Sequence, residues 1–110
     1  MKDDRPYLEH IRDAIRKIGT YTADGRDAFL RSEMAQDAVL RNFEIIGEAT
    51  KRLSEETKAR RPDISWGDIA GLRDVLIHNY MAVKLDRVWR VIEQGVPPLK
   101  RAVEELLASD

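Results

Sequence analysis

Apolar residues return every three or four positions along almost the whole chain, and no segment alternates with period two over a useful length. That spacing puts one face of each successive helix against a shared core and leaves no strand to build a sheet. Leu8, Ile11, Ile15 and Ile18 set a first helix from about Pro6 to Gly19, and Thr20 to Gly25 punctuates it. A long second helix is expected from about Ser32 to Ala59. Val39, Phe43, Ile46 and Leu53 make one stripe on it, and Ala38, Ile45 and Ala49 make another beside it, so its buried face is wide. Arg41, Glu44, Glu48 and Lys51 line the opposite side. Gly47 inside this helix costs about 1 kcal/mol relative to alanine, which points to close helix contact there.

Arg60-Arg61-Pro62-Asp63 is a connector. Ser65 followed by Asp68 resembles a capping box and opens a third helix towards Asn79. Leu85, Val88, Trp89 and Ile92 give a fourth helix, which Gly95-Val96-Pro97-Pro98 ends. Leu99, Val103 and Leu106 face inward from a fifth, where proline suits the first turn. The expected fold is all-α, an up-and-down bundle of about five helices forming one domain over residues 1–110.

A chain of 110 residues has room for one core, burying roughly two-thirds of its unfolded surface. With 43% apolar and 35% charged residues it reads as neither disordered nor membrane-spanning. The longest charge-free stretch, Val75 to Val83, is nine residues, too short to cross a bilayer. Met1-Lys2-Asp3-Asp4-Arg5-Pro6 has no apolar core and is not a secretory signal, so a cytoplasmic location is the default. With no cysteine there is no disulfide, thiolate metal site or cysteine nucleophile, and two histidines leave little for zinc. No metal and no cofactor is expected. The net charge of −1 rules out a strong general attraction to nucleic acid, and any such binding must come from a local patch.

The third helix carries an anomaly. Ile69, Ala70, Leu72, Val75, Leu76 and Ile77 place apolar side chains nearly all round it, yet Arg73, Asp74, His78, Asn79 and Tyr80 are embedded among them. Arg73 falls on the line Trp66–Ile69–Arg73–Leu76–Tyr80, where an aliphatic residue belongs. A guanidinium there must be paired or face a cleft. Two readings are open. In the first, Arg73 is structural, paired with Asp74 or Glu48, and His78 is satisfied by a backbone carbonyl. In the second, both do chemistry on a phosphodiester. Histidine exchanges protons near neutral pH, and arginine is a permanent cation whose fork matches phosphate oxygens. RNA supplies its own nucleophile, the 2′-hydroxyl, so neither serine nor cysteine is needed. The two residues stand five apart, roughly 140° around an ideal helix, so they do not stack on one face. Either Asn79 ends the helix in a left-handed conformation and lets His78 and Tyr80 swing, or two copies of the site face each other in a dimer.

Arg73-Asp74-Val75-Leu76-Ile77-His78-Asn79-Tyr80 matches an R-x4-H-x-Y signature, and in this the chain resembles the HepT-like ribonuclease toxins of the HEPN superfamily. Tyr7-Leu8-Glu9-His10-Ile11 is similar to that family's opening helix, and the run from Asp37 to Ala49 to its second-helix signature. Ile64-Ser65-Trp66 and Val88-Trp89 through Pro97-Pro98-Leu99-Lys100 also resemble family segments, so the likeness covers nearly the whole chain. It implies a homodimeric bundle with a cleft along the subunit interface and a metal-independent endoribonuclease activity on RNA. It also implies a partner, a minimal nucleotidyltransferase antitoxin of the MntA type that transfers AMP to the signature tyrosine. Carried over residue by residue, Arg73 and His78 would be catalytic and Tyr80 the AMP acceptor. Asp74 takes the polar position after the arginine. Met81-Ala82 departs from the family's aromatic-glycine pair.

Asn42 is a polar residue on the apolar Ala38–Ile45–Ala49 stripe, and either orients Arg73, contacts substrate, or is a satisfied core amide. Glu48 borders the same region as a supporting or pairing carboxylate. His10, beside Glu9 and Arg12, reads as a surface residue, and Trp66 and Trp89 as core. Lys58 with Arg60 and Arg61, and Lys84 with Arg87 and Arg90, are two candidate contacts for an RNA backbone or two solvated faces. Beside the ribonuclease toxin stand two alternatives: a catalytically silent HEPN-type module that binds a nucleotidyltransferase or RNA, and a purely structural helical dimer.

Overall fold

Helix α1, Arg5–Tyr21, carries Pro6 in its first turn, where the missing N–H costs nothing, and buries Leu8, Ile11, Ala14, Ile15 and Ile18 as one stripe. A computed structural model of the chain describes residues 3–72 and 84–109. Among those residues every regular element is helical, as the periodicity requires. Gly25 turns the chain after α1 with φ of 93° and ψ of −178°, a region only glycine enters freely, and α2 spans Arg26–Arg31. Helix α3, Glu33–Lys51, is capped by Ser32, whose hydroxyl oxygen accepts from the Ala35 N–H at 3.1 Å. Its buried side includes Val39, Phe43, Ile46, Gly47 and Ala49, and it lies along α1 in the most extensive helix pair of the fold.

The expected second helix is two. Arg52 and Leu53 form a tighter turn, with Arg52 N–H bonding the Ala49 carbonyl and Leu53 N–H that of Thr50, and α4 restarts at Glu55–Ala59. The break is held both locally and by a tertiary contact. Ser54 caps α4, accepting from the Thr57 N–H at 3.2 Å, while its own N–H and hydroxyl donate to Asp4 Oδ2 at 2.9 and 2.6 Å. The Thr57 hydroxyl donates to the same oxygen at 2.6 Å. The break keeps Leu53 buried, so the apolar stripe survives it.

Helix α5, Trp66–Ala70, opens at Ser65, but the Ser65 hydroxyl makes no capping bond. Its ψ of 74° is outside the extended conformation from which a serine caps, so the capping-box expectation fails. The stretch of the expected third helix from Arg73 to Asn79 lies outside the described residues.

The expected end at Gly95-Val96-Pro97-Pro98 is also not found. Helix α6, Leu85–Arg90, runs through a π turn at Val91–Gly95 into α7, Val96–Ala108, with Gly95 at φ −92°, ψ −36°. The Val96 N–H donates to the Val91 carbonyl five residues back. Proline has no N–H and its ring collides with the carbonyl four residues earlier. Widening the preceding turn moves that carbonyl aside and lets the helix pass Pro97 and Pro98 without stopping. Leu99, Val103 and Leu106 are buried as expected, and α7 packs against α1.

Candidate active site

The signature segment is flanked on both sides by residues seated on the bundle. Before it, α5 packs on α3, with Ile69 and Leu72 partly buried against the core; after it, Leu85 does the same. Arg73, Asp74, His78 and Tyr80, with Asn79, Met81 and Ala82, lie outside the described residues.

Asn42 is 5% exposed on α3. Its Nδ2 donates to the Ala38 carbonyl at 2.8 Å, while its buried Oδ1 has no hydrogen-bond partner among the described residues. Only the donor half of the amide is therefore a satisfied core group. A buried acceptor that finds no donor costs about 1–3 kcal/mol. Glu48 is half-exposed, 3.6 Å from Lys51, and lines a cleft of about 300 Å³ between α1 and α3. Tyr7 and His10 line the same cleft from α1, their rings edge to face at 6.5 Å, and Arg41 of α3 and Arg52 of the turn after it stand at it. His10 is exposed, as expected of a surface residue. That Tyr7 and His10 share a cleft with Glu48 had no signal in the sequence, because it depends on how α1 and α3 are paired.

Both tryptophans are structural. The Trp66 indole is buried and its Nε1–H is shared between the Lys58 and Arg61 carbonyls, at 3.1 and 3.0 Å, which ties the connector to α5. Trp89 is partly buried and packs on Phe29 with ring centroids 5.6 Å apart.

The two basic clusters differ. Arg61 holds Asp63 with both arms of its fork, at 2.9 and 2.7 Å, and reaches Glu105 at 2.5 Å. These hydrogen bonds raise the Arg61 pKa and hold the Asp63 carboxyl below its ordinary range. Arg60 bonds the Ser109 hydroxyl, and Lys58 lies 3.6 Å from Glu55. This cluster closes the connector onto the end of α7. Lys84, Arg87 and Arg90 are exposed and enter no ion pair among the described residues. Among those residues no three histidine, aspartate or glutamate side chains converge as a metal site requires. No helix among them is long and apolar enough to cross a membrane.

Residues 11–106 match the family described as Ribonuclease HepT-like. The chain belongs to the HepT-like ribonuclease family. The HepT-like chain is 40% identical over 107 residues to a Methanocaldococcus jannaschii protein named for gamma-glutamylcyclotransferase and, provisionally, RNase activity. That match covers 96% of this chain but spans only about half, 48%, of the relative. A protein of Caldanaerobacter subterraneus subsp. tengcongensis, provisionally named an RNase, is 36% identical over all of this chain and 99% of its own length. A probable ribonuclease HepT of Thermococcus cleftensis is 37% identical over 96% of each chain. No solved structure matches the HepT-like chain.

Proposed function

We propose that this HepT-like chain is a metal-independent endoribonuclease and the toxin of a toxin–antitoxin pair. The observation that carries the reading is the R-x4-H-x-Y signature, Arg73 to Tyr80, inside the span that matches the ribonuclease family. The RNA 2′-hydroxyl attacks the adjacent phosphorus in line, the 5′-oxygen leaves, and a 2′,3′-cyclic phosphate results. His78 is the proton-transfer group, and Arg73 stabilises charge on the phosphoryl oxygens. The open Oδ1 of Asn42 is suited to accept from a guanidinium N–H and so to orient Arg73, with Asp74 and Glu48 as further carboxylates around it. The active form is a homodimer, since each chain offers one histidine in the signature and the acid and base then come from two copies of His78.

Neutralisation falls to Tyr80. A minimal nucleotidyltransferase of the MntA type transfers AMP from ATP to its hydroxyl, the phenolic oxygen attacking the α-phosphorus as pyrophosphate leaves. This places a phosphodiester where the guanidinium otherwise meets RNA, while the adenosine blocks access.

The test is cleavage of a single-stranded RNA in EDTA by wild type, Arg73→Ala and His78→Ala. Wild type cuts, and each variant loses about 10²–10³ in rate. Full activity in either variant, or none in EDTA, overturns the mechanism. RNA left intact by a folded wild type favours the catalytically silent HEPN-type module. Mass spectrometry after co-expression with the neighbouring nucleotidyltransferase should find AMP on the Tyr80 peptide, and Tyr80→Phe should stay toxic despite that partner.

A further inference from the structure

We propose that Lys84, Arg87 and Arg90 form the track that holds the RNA backbone as it leaves the signature segment. The inference rests on the ribonuclease reading and adds to it the surface along which the substrate lies. It starts from the distinction between cations that are occupied and cations that are not. Of the two basic clusters in the sequence, Lys58–Arg60–Arg61 is spent on Glu55, Ser109, Asp63 and Glu105. A phosphate binding there would have to displace a bidentate carboxylate.

The second cluster is open. On α6 Val88 is fully buried and Leu85 and Trp89, with Ile92 of the π turn, pack against the core, and Lys84 just before the helix, Arg87 and Arg90 are exposed at three-residue steps. The acid within this run, Asp86, is engaged elsewhere, 2.5 Å from the Arg26 guanidinium of α2. Glu93, the next acid along, pairs with none of the three. The Arg26–Asp86 bridge therefore leaves three neighbouring cations with no ion-pair partner among the described residues, on a chain whose net charge is −1. Such a patch is what a near-neutral protein needs to attract a polyanion.

Position supplies the second argument. Tyr80 precedes Lys84 by four residues, and four residues reach at most ~14 Å however the chain runs. From Lys84 to Arg90 the helix rises roughly 9 Å at 1.5 Å per residue. A strand passing Tyr80 is thus within a few nucleotides of all three cations. Exposed lysine and arginine that count charge, with no side chain arranged to read a base edge, hold a backbone without selecting sequence.

The experiment measures binding of a short labelled 2′-O-methyl RNA, which lacks the nucleophile and cannot be cut, as a function of salt. The full chain is compared with K84Q/R87Q/R90Q, the ridge variant, and with K17Q/K100Q/R101Q, a control that removes the same charge from exposed positions on α1 and α7. Each phosphate contact on a single strand contributes about 0.7 to the slope of log K against log salt. The ridge variant should lose about 2 from the slope, the control none, and R87K/R90K should retain the wild-type slope. Should the triple variant misfold by circular dichroism, R87Q alone decides, with an expected loss of about 0.7. Equal losses in ridge and control variants, or an unchanged slope in the ridge variant while wild type still cleaves RNA, overturn the track and leave the ribonuclease reading standing. A wild type that neither binds nor cleaves RNA ends both. If the ridge variant then binds the nucleotidyltransferase more weakly, the surface serves that protein instead.

Discussion

Asp4 is an acid, 6% exposed, whose Oδ2 accepts from the Ser54 N–H, the Ser54 hydroxyl and the Thr57 hydroxyl. Hydrogen bonds to a charged group are worth about 1.5–3 kcal/mol, and truncation strands the partners as well. Asp4→Ala should therefore cost about 2 kcal/mol in urea unfolding, and α4 should lose its order first. Asp63 gives a pH signature instead. The Arg61 hydrogen bonds hold its carboxyl below the ordinary 3.8, so the unfolded chain takes up the proton first as pH falls. The stability this pair contributes is present above pH 3.8 and is lost as pH drops through the lower folded value. Unfolding midpoints measured down through that range should fall more steeply for wild type than for Asp63→Asn. Asp63 stands two residues from Arg61 in the sequence, but the Asp4–Ser54 and Arg61–Glu105 partners were not legible there, because they lie 50 and 44 positions apart.

At the scale of elements, α1 and the inward face of α7 follow directly from their three- and four-residue spacing. The two misplaced boundaries have opposite causes. At the α3–α4 break Ser54 is a local cap, bonded to the Thr57 N–H, that is further held by the distant contact with Asp4. The π turn falls where glycine and two prolines read as a stop, yet a wider turn accommodates them. Gly95 is the point at which this can be checked. It is helical, and a methyl added there would meet Val91 Cγ1 at 3.6 Å, ordinary contact. Gly95→Ala should thus stabilise the protein by about 0.5–1 kcal/mol in thermal unfolding, since alanine is the better helix former. Were Gly95 a helix-ending residue, the same change would destabilise.

For the whole molecule, the fold class was legible because a helical period leaves a mark on every turn of sequence, and the signature was legible because its residue types are chemically unusual in an apolar stretch of sequence. Which basic cluster has no ion-pair partner among the described residues was not, since Arg61 finds Glu105 and Asp86 finds Arg26 only once the bundle has closed. The proposed two-copy assembly makes a prediction at this scale. Light scattering at micromolar concentration should give twice the chain mass, and a single-chain mass would remove the second His78 from the mechanism. The π turn at Val91–Gly95 has a consequence for insertions and deletions. In effect it is a single extra residue absorbed by the helix without disturbing the phase of the turns beyond it. Deleting Gln94 would return the segment to plain α geometry and keep Leu99, Val103 and Leu106 turned inward, provided Pro97 and Pro98 became alanines. A deletion elsewhere in α6 or α7 would instead swing everything beyond it by about 100°. The two prolines hold open the one position where this helix can change length and keep its core.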